Sequence, residues 1–150
     1  DNYFYPLDKV LGWNKVYGRK GFAQFQCVIP ISNSKIALKE LLYAISNSNC
    51  SSFLSVLKKF GTQNSLFSFP LAGYTLALDF PINKNTLNLM TKLDEITLKY
   101  KGRFYLTKDS RMSKETFLKS DIRASDYIRY RKLTGSFDIF NSSQSDRLGL

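Results

Sequence analysis

The chain has no histidine among its 150 residues. That removes the commonest general base and the commonest metal-ligating side chain from its repertoire. It has two cysteines, Cys27 and Cys50. These are too few for a disulfide framework or a thiolate zinc site, so core thiols in a reducing compartment are the expectation. No apolar run reaches the ~20 residues of a membrane-spanning helix, and no signal peptide is visible. Phosphate-cradling patterns are missing too. Neither G-x-G-x-x-G nor a Walker loop occurs, and Gly61 and Gly73 read as turn glycines. Acidic residues are in the minority, 12 against 22 Lys and Arg, for a formal charge of +10. The excess points to an anionic partner: nucleic acid, a phosphate-bearing ligand or an acidic membrane surface. It does not choose among them.

What is present is enough apolar material for one domain with a core: 43% hydrophobic and 15% aromatic residues. The chain begins at Asp1 without Met and reads as a piece of a longer protein. Residues 1–20 are aromatic and irregular, punctuated by Pro6, Gly12 and Gly18. They read as a lead-in segment packed on the domain, or a linker.

Gly21 to Ile29 alternates as a strand, with Ala23, Phe25, Cys27 and Ile29 on one face and Gln24, Gln26 and Val28 on the other. Pro30 stops it. Ser32 or Ser34 is expected to cap a helix running to about Asn47, with Ile36, Leu38, Leu41, Leu42 and Ile45 as its buried stripe. Phe53 to Phe60 reads as a second strand, with Leu54, Val56 and Lys58 sharing a face. Gly73 to Phe80 reads as a third, with Tyr74, Leu76, Leu78 and Phe80 opposed to Thr75, Ala77 and Asp79. Asn83 or Asn85 caps a second helix whose stripe is Leu89, Leu93, Ile96 and Tyr100, with Gly102 supplying its C′ position.

Arg103 to Thr107 is the expected fourth strand. The polar turn Lys108-Asp109-Ser110-Arg111 follows, and Ser113 caps a helix from Lys114. Asp109 and Arg111 are expected to pair across that turn. Two short helices, at 114–120 and 124–133, and a Ser-rich tail complete the chain.

Strand-helix-strand-strand-helix-strand defines an α+β fold, the ferredoxin-like βαββαβ arrangement with C-terminal helices added. Its antiparallel sheet carries both long helices on one face. The other face holds Gln24, Gln26, Leu54, Val56, Lys58, Thr75 and Ala77. A mixed polar and apolar face without helices needs a cover of solvent, ligand or another domain. Lys58 and Lys108 can hold an anion there as point charges. The bland alternative is a solvated face with lysines reaching into water.

Two function classes fit. One is the substrate half of a two-domain enzyme, with a small polar ligand held between the sheet and a partner domain. The other is an RNA-recognition-motif-like domain. For that, Gly73-Tyr74 with Asp79-Phe80 imitates the third strand, but aromatics are required on the open face.

The series YFYPLD, WNKVYG, GFAQFQCVIP, FLSVLKKFG, SFPLAGYTLALDFPI, GRFYLTKDSRMSKETF and DRLGL covers nearly the whole chain. In this order it resembles the C-terminal half of the decaprenylphosphoryl-ribose oxidase group, FAD-dependent oxidoreductases of the vanillyl-alcohol-oxidase type. The resemblance implies that 21–150 is the substrate-binding, or cap, domain. It implies that 1–20 leads in from an FAD-binding domain of the same protein that precedes Asp1.

The implied cofactor is FAD, bound mainly by that other domain, so that this fragment alone is expected to be inactive. The implied reaction is oxidation of a secondary alcohol of a sugar-type or lipid-linked substrate. Lys108 matches the lysine beside flavin and substrate hydroxyl, the catalytic candidate. Gln26 matches a glutamine near the flavin, and Gln24 its neighbour on the strand. Lys58, Leu54, Val56 and Tyr105 match substrate-pocket residues. Thr75 and Ala77 stand where mycobacterial members carry Asn and Cys, a departure that bears on substrate choice rather than on flavin chemistry. No nucleic-acid partner is expected. The implied location is cytoplasmic, with peripheral membrane association compatible with a lipid-phosphate substrate.

Overall fold

The structure, a computed structural model, describes residues 9, 11, 12, 15 and 17–150. The expected lead-in segment therefore lies mostly outside the described residues. Four strands, β1 (Phe22–Pro30), β2 (Ser55–Phe60), β3 (Gly73–Pro81) and β4 (Arg103–Phe104), form one sheet in the order β2-β3-β1-β4. All pairings are antiparallel. The helices are α1 (Ile31–Ser46), α2 (Lys84–Lys99), α3 (Lys114–Ser120), α4 (Ala124–Leu133) and α5 (Ser143–Leu148). The ferredoxin-like α+β arrangement is the observed one. Among the described residues no helix is long and apolar enough to cross a membrane.

Strand alternation sets the layers. Ala23, Phe25, Cys27 and Ile29 of β1 and Leu76, Leu78 and Phe80 of β3 are buried in one core cluster. Ala37, Leu41 and Ala44 of α1 and Leu89, Met90, Leu93 and Ile96 of α2 close it from above. Burying such side chains stabilises by roughly 1.5–3 kcal/mol each, which fixes the register. A one-residue slip would bring the glutamines of β1 into this core.

Local details differ from expectation. Pro30, not Ser32 or Ser34, occupies the N-cap of α1, and no side chain caps it. Ser34 is buried, and its hydroxyl donates to the Ile31 carbonyl instead, 2.9 Å away. The buried stripe of α1 is Ser34, Ala37, Leu41 and Ala44, whereas Ile36 and Leu42 are 64% and 55% exposed. Small residues at that spacing let the helix approach the sheet, and the large ones fall on its flanks. By contrast, α2 begins as expected. Asn83 accepts from the Thr86 backbone N–H, and Thr86 accepts in return from the Asn83 N–H, a full capping box.

Gly102 is not the left-handed residue after α2. Lys101 takes that conformation, with φ of 58°. Its N–H donates to the Leu98 carbonyl and the Gly102 N–H to that of Thr97, which is the Schellman pattern with lysine at C′. Gly102 is needed for a different reason. A Cβ there would lie 2.6 Å from Ile29 Cδ1, 2.8 Å from Thr97 Cγ2 and 2.9 Å from the Val28 carbonyl oxygen.

The fourth strand is shorter than expected. β4 holds only Arg103 and Phe104, paired with Val28 and Cys27. The Tyr105 N–H still donates to the Gln26 carbonyl. Lys108 and Asp109 then donate back to Tyr105 and Leu106, so the chain turns there. The Ser-rich tail, for which no helix was expected, contains α5, capped by Ser142 and anchored by Leu148, which is fully buried.

Candidate functional site

Cross-strand rows build the floor of the site on the helix-free face. The register places Gln24 opposite Asp79, Gln26 opposite Ala77 and Val28 opposite Thr75. It continues Ala77 to Val56 and Thr75 to Lys58 on β2. Although β2 begins at Ser55, Phe53 N–H and Leu54 C=O still bond the Asp79 backbone, which keeps Leu54 in the row. Long side chains also reach diagonally across such a ladder. Gln26 Nε2 lies 3.1 Å from Thr75 Oγ1, and Gln24 Nε2 lies 2.8 Å from Asp79 Oδ1.

These rows enclose a cleft of about 170 Å³ lined by Gln24, Gln26, Leu54, Val56, Lys58, Thr75, Ala77, Asp79 and Lys108. Every expected site residue but one lines it. The exception is Tyr105, which lines an adjoining groove of about 640 Å³. Gln26, Lys58 and Lys108 border both cavities. The groove wall is aromatic: Tyr105 stacks on Phe69 with centroids 4.6 Å apart, and Phe60 meets Phe69 edge-on. Lys58 and Lys108 have no carboxylate within ion-pair distance among the described residues, so both ammonium groups are available to an anion or an oxygen acceptor.

Asp79 was missing from the expected site. It is 5% exposed and accepts from the Tyr17 hydroxyl at 2.9 Å as well as from Gln24. Its place opposite Gln24 is implicit in strand alternation, and only the pairing register reveals the contact. Burial, with the Asp79 hydrogen bond and charge adding to it, raises the Tyr17 phenol above its ordinary value. Tyr17 therefore stays a donor.

Lys108 sits on a turn that other elements brace. Asp109 and Arg111 do not pair with each other's side chains as expected. Asp109 Oδ1 accepts from the backbone N–H groups of Arg111 and Met112, and its Oδ2 accepts from Arg147 of α5 at 2.9 Å. Arg111 reaches α2 and binds Asp94 through two bonds of 2.7 and 2.8 Å. Gln144 of α5 donates to the carbonyls of Leu106 and Asp109, which flank Lys108. Gln144 and Arg147 were missed because α5 was missed.

Beyond the groove, Arg103 and Arg123 both donate to the Ser68 carbonyl and so pin the loop that carries Phe67 and Phe69. Burial favours the neutral Asp121 carboxyl, but the bonds from the Arg123 side chain and backbone and the nearby Arg103 outweigh it and hold the group below its ordinary value. The thiol of Cys27, enclosed in the core, is pushed up to about 12 by burial, and both cysteines are free. The third strand does not carry on the open face the aromatics that an RNA-recognition motif requires. β3 presents Thr75, Ala77 and Asp79 there, and Phe22 at the start of β1 is stacked under Tyr17. The RNA-binding alternative thereby loses its structural footing.

Similarity to known proteins agrees with the class that the resemblance implies: the chain is a homologue of an oxidase, and so of an oxidoreductase. It is 37% identical over 149 residues to decaprenylphosphoryl-beta-D-ribose oxidase of Mycolicibacterium smegmatis, covering 99% of this chain and 32% of that protein. It is 28% identical over 144 residues to an uncharacterized protein in the mprA 5′ region of Streptomyces coelicolor, covering 94% of this chain and 39% of that protein. The chain thus spans roughly a third of the length of the curated relatives it matches. No protein-family model matches it.

Proposed function

We propose that this chain is the substrate-binding, or cap, domain of a longer FAD-linked oxidoreductase that oxidises a secondary alcohol of a sugar-type or lipid-linked substrate. The observation that carries the reading is the convergence of Gln26, Lys58 and Lys108 at the junction of a polar cleft and an aromatic groove. One small cavity offers amide and ammonium groups to the oxygens of a sugar. The wider one offers ring faces to an apolar extension.

The donor set fits one face of a flavin ring. Gln26 would offer it an amide and Lys108 a cation, beside the cleft floor that β1 and β3 build. No phosphate-cradling loop occurs in the sequence, so the dinucleotide phosphates fall to another domain of the same protein. When bound, FAD would supply the acceptor for the hydride that leaves the alcohol carbon. Lys108 holds the reacting hydroxyl in place at the rim. Lys58, on the edge strand across the cleft, binds the remainder of the substrate, and Leu54, Val56, Ala77 and Tyr105 exclude water around it. The Thr75 hydroxyl accepts from the Gln26 amide and so holds that side chain over the ladder.

The test is anaerobic stopped-flow reduction of the full-length protein by a polyprenylphosphoryl-β-D-ribose. Lys108→Ala is expected to slow flavin reduction by about 10²–10⁴-fold if the residue assists proton transfer. Lys58→Ala is expected to act mainly on affinity. A full-length protein purified without flavin, or Lys108→Ala reducing at the wild-type rate with unchanged affinity, refutes the reading.

A further inference from the structure

We propose that Asp79 is a positioning residue which locks the Gln24 carboxamide as a hydrogen-bond acceptor, so that the cleft reads a substrate hydroxyl at Gln24. The inference rests on the oxidoreductase reading for its substrate and on the geometry alone for the lock.

Asp79 is a buried carboxylate with no cation at ion-pair distance among the described residues. A charge in such a place is retained only if donors satisfy it. Each oxygen has one: Tyr17 Oη at 2.9 Å on Oδ2 and Gln24 Nε2 at 2.8 Å on Oδ1. Tyr17 is itself fixed, stacked on Phe22 at 4.0 Å and edge-on to Phe53 at 5.4 Å. An ionised carboxylate only accepts. The Gln24 amide must therefore offer its NH2 to Asp79. The flipped amide would set two oxygens against each other at hydrogen-bond distance.

Gln24 Oε1 has no partner among the described residues, yet the side chain lines the cleft. An acceptor of fixed sense results, where a free glutamine would offer either sense. Lys58 and Lys108 are donors only. The cleft is thereby polarised. It takes a ligand with a hydroxyl proton to give at Gln24 and an anionic or lone-pair oxygen to receive from the lysines: a polyol bearing a phosphate or a similar anionic group. The same logic does not fix Gln26, because the Thr75 hydroxyl both donates and accepts.

The experiment uses the full-length protein and a short-chain polyprenylphosphoryl-β-D-ribose, together with analogues each lacking one hydroxyl that is not oxidised. Wild-type protein is expected to lose about three- to tenfold in kcat/KM on one analogue, the worth of a neutral hydrogen bond. Asp79→Asn is expected to abolish that discrimination, to raise KM for the complete substrate and to change kcat less. Asp79→Asn combined with Gln24→Glu is expected to restore the discrimination. In that double variant the introduced amide on β3 donates to the introduced carboxylate on β1, whose second oxygen remains an acceptor on the cleft. A merely structural role moves KM and kcat without touching discrimination.

Retention of wild-type discrimination by Asp79→Asn overturns the proposal. Selective ¹⁵N-glutamine NMR of the wild-type protein tests the lock without any variant of Asp79. The Gln24 NH2 protons, identified by their loss in Gln24→Ala, are expected to exchange more slowly than those of exposed glutamines, and exchange at the exposed rate overturns the lock. A protein that oxidises no ribose probe sinks the oxidoreductase reading and the hydroxyl recognition with it, while the NMR result still decides the lock.

Discussion

Replacing Arg111 by Met should destabilise the chain by about 2–4 kcal/mol at pH 7, and by much less near pH 4. Asp94 of α2 is 6% exposed, and Arg111 is its only cation at ion-pair distance among the described residues. The pair is bidentate, at 2.7 and 2.8 Å, and the same guanidinium donates to the Met90 carbonyl at 3.1 Å. Removing one partner of a buried pair costs about 3–5 kcal/mol, because the other charge stays behind without compensation. Arg111 Nε is buried without a partner, so its removal relieves about 1 kcal/mol. The difference gives the stated range.

The pH dependence follows from the carboxyl. Burial raises Asp94 above its ordinary value, and the Arg111 hydrogen bonds and charge pull it back only in part. A folded value above the unfolded one means that its contribution is fully present below the unfolded value, about 4, and is lost as pH rises through the folded value. Without Arg111 the folded value climbs further, and the loss at neutral pH deepens. Urea unfolding at pH 7 and at about pH 4 reads both effects. Adding Asp94→Leu should recover most of the stability, since an apolar pair of similar volume replaces a buried ion pair at little cost. Equal destabilisation at the two pH values, or a loss under about 1 kcal/mol at pH 7, would refute the reasoning.

Gly102→Ala should lower stability by about 1–3 kcal/mol. The new Cβ would meet the Val28 carbonyl at 2.9 Å, backbone that cannot swing aside; an unchanged urea midpoint would contradict this. Thiol labelling of the native chain should modify Cys50 well before Cys27. Cys27 is fully buried, with its thiol held at about 12, and reaction becomes possible for it only on unfolding. Gln144→Leu in the full-length protein should slow flavin reduction while costing only about 1–2 kcal/mol of stability. It frees the Leu106 and Asp109 carbonyls that flank Lys108, and a reduction rate equal to wild type would show that the turn holds without it.

The floor of the site was legible because its signal is periodic. Gln24 and Gln26 alternate with Phe25 and Cys27, and Thr75 and Ala77 alternate with Leu76 and Leu78, so the core fixes which side chains remain on the open face. Lys108 was legible from resemblance, but its surroundings were not. The braces come from Asp94, Gln144 and Arg147, which are 14 to 39 positions away in sequence, and polar side chains at such distances carry no period. Helix α5 went unseen for a related reason. Only Leu148 and Ser145 of its six residues are buried, too few to announce a stripe. The stripe of α1 was misread because Ala37, Ala44 and Ser34 bury less area than Ile36 and Leu42 would. Size alone points the wrong way when a helix lies close to its sheet.

The two sides of the cleft are held by different physics, and this bears on how the site changes. The floor belongs to the sheet, where Ala77 and Val56 face each other across β3 and β2 with no hydrogen bond from their side chains, on the face away from the core. Substitutions there can alter what the cleft recognises at small cost to folding. The rim carrying Lys108 hangs on ion pairs and on α5 at the far end of the chain. Its geometry is sensitive to substitutions that touch no ligand. Thr75 and Ala77 lie on the ladder, while the position of Lys108 depends on Asp94, Asp109, Gln144 and Arg147 acting together.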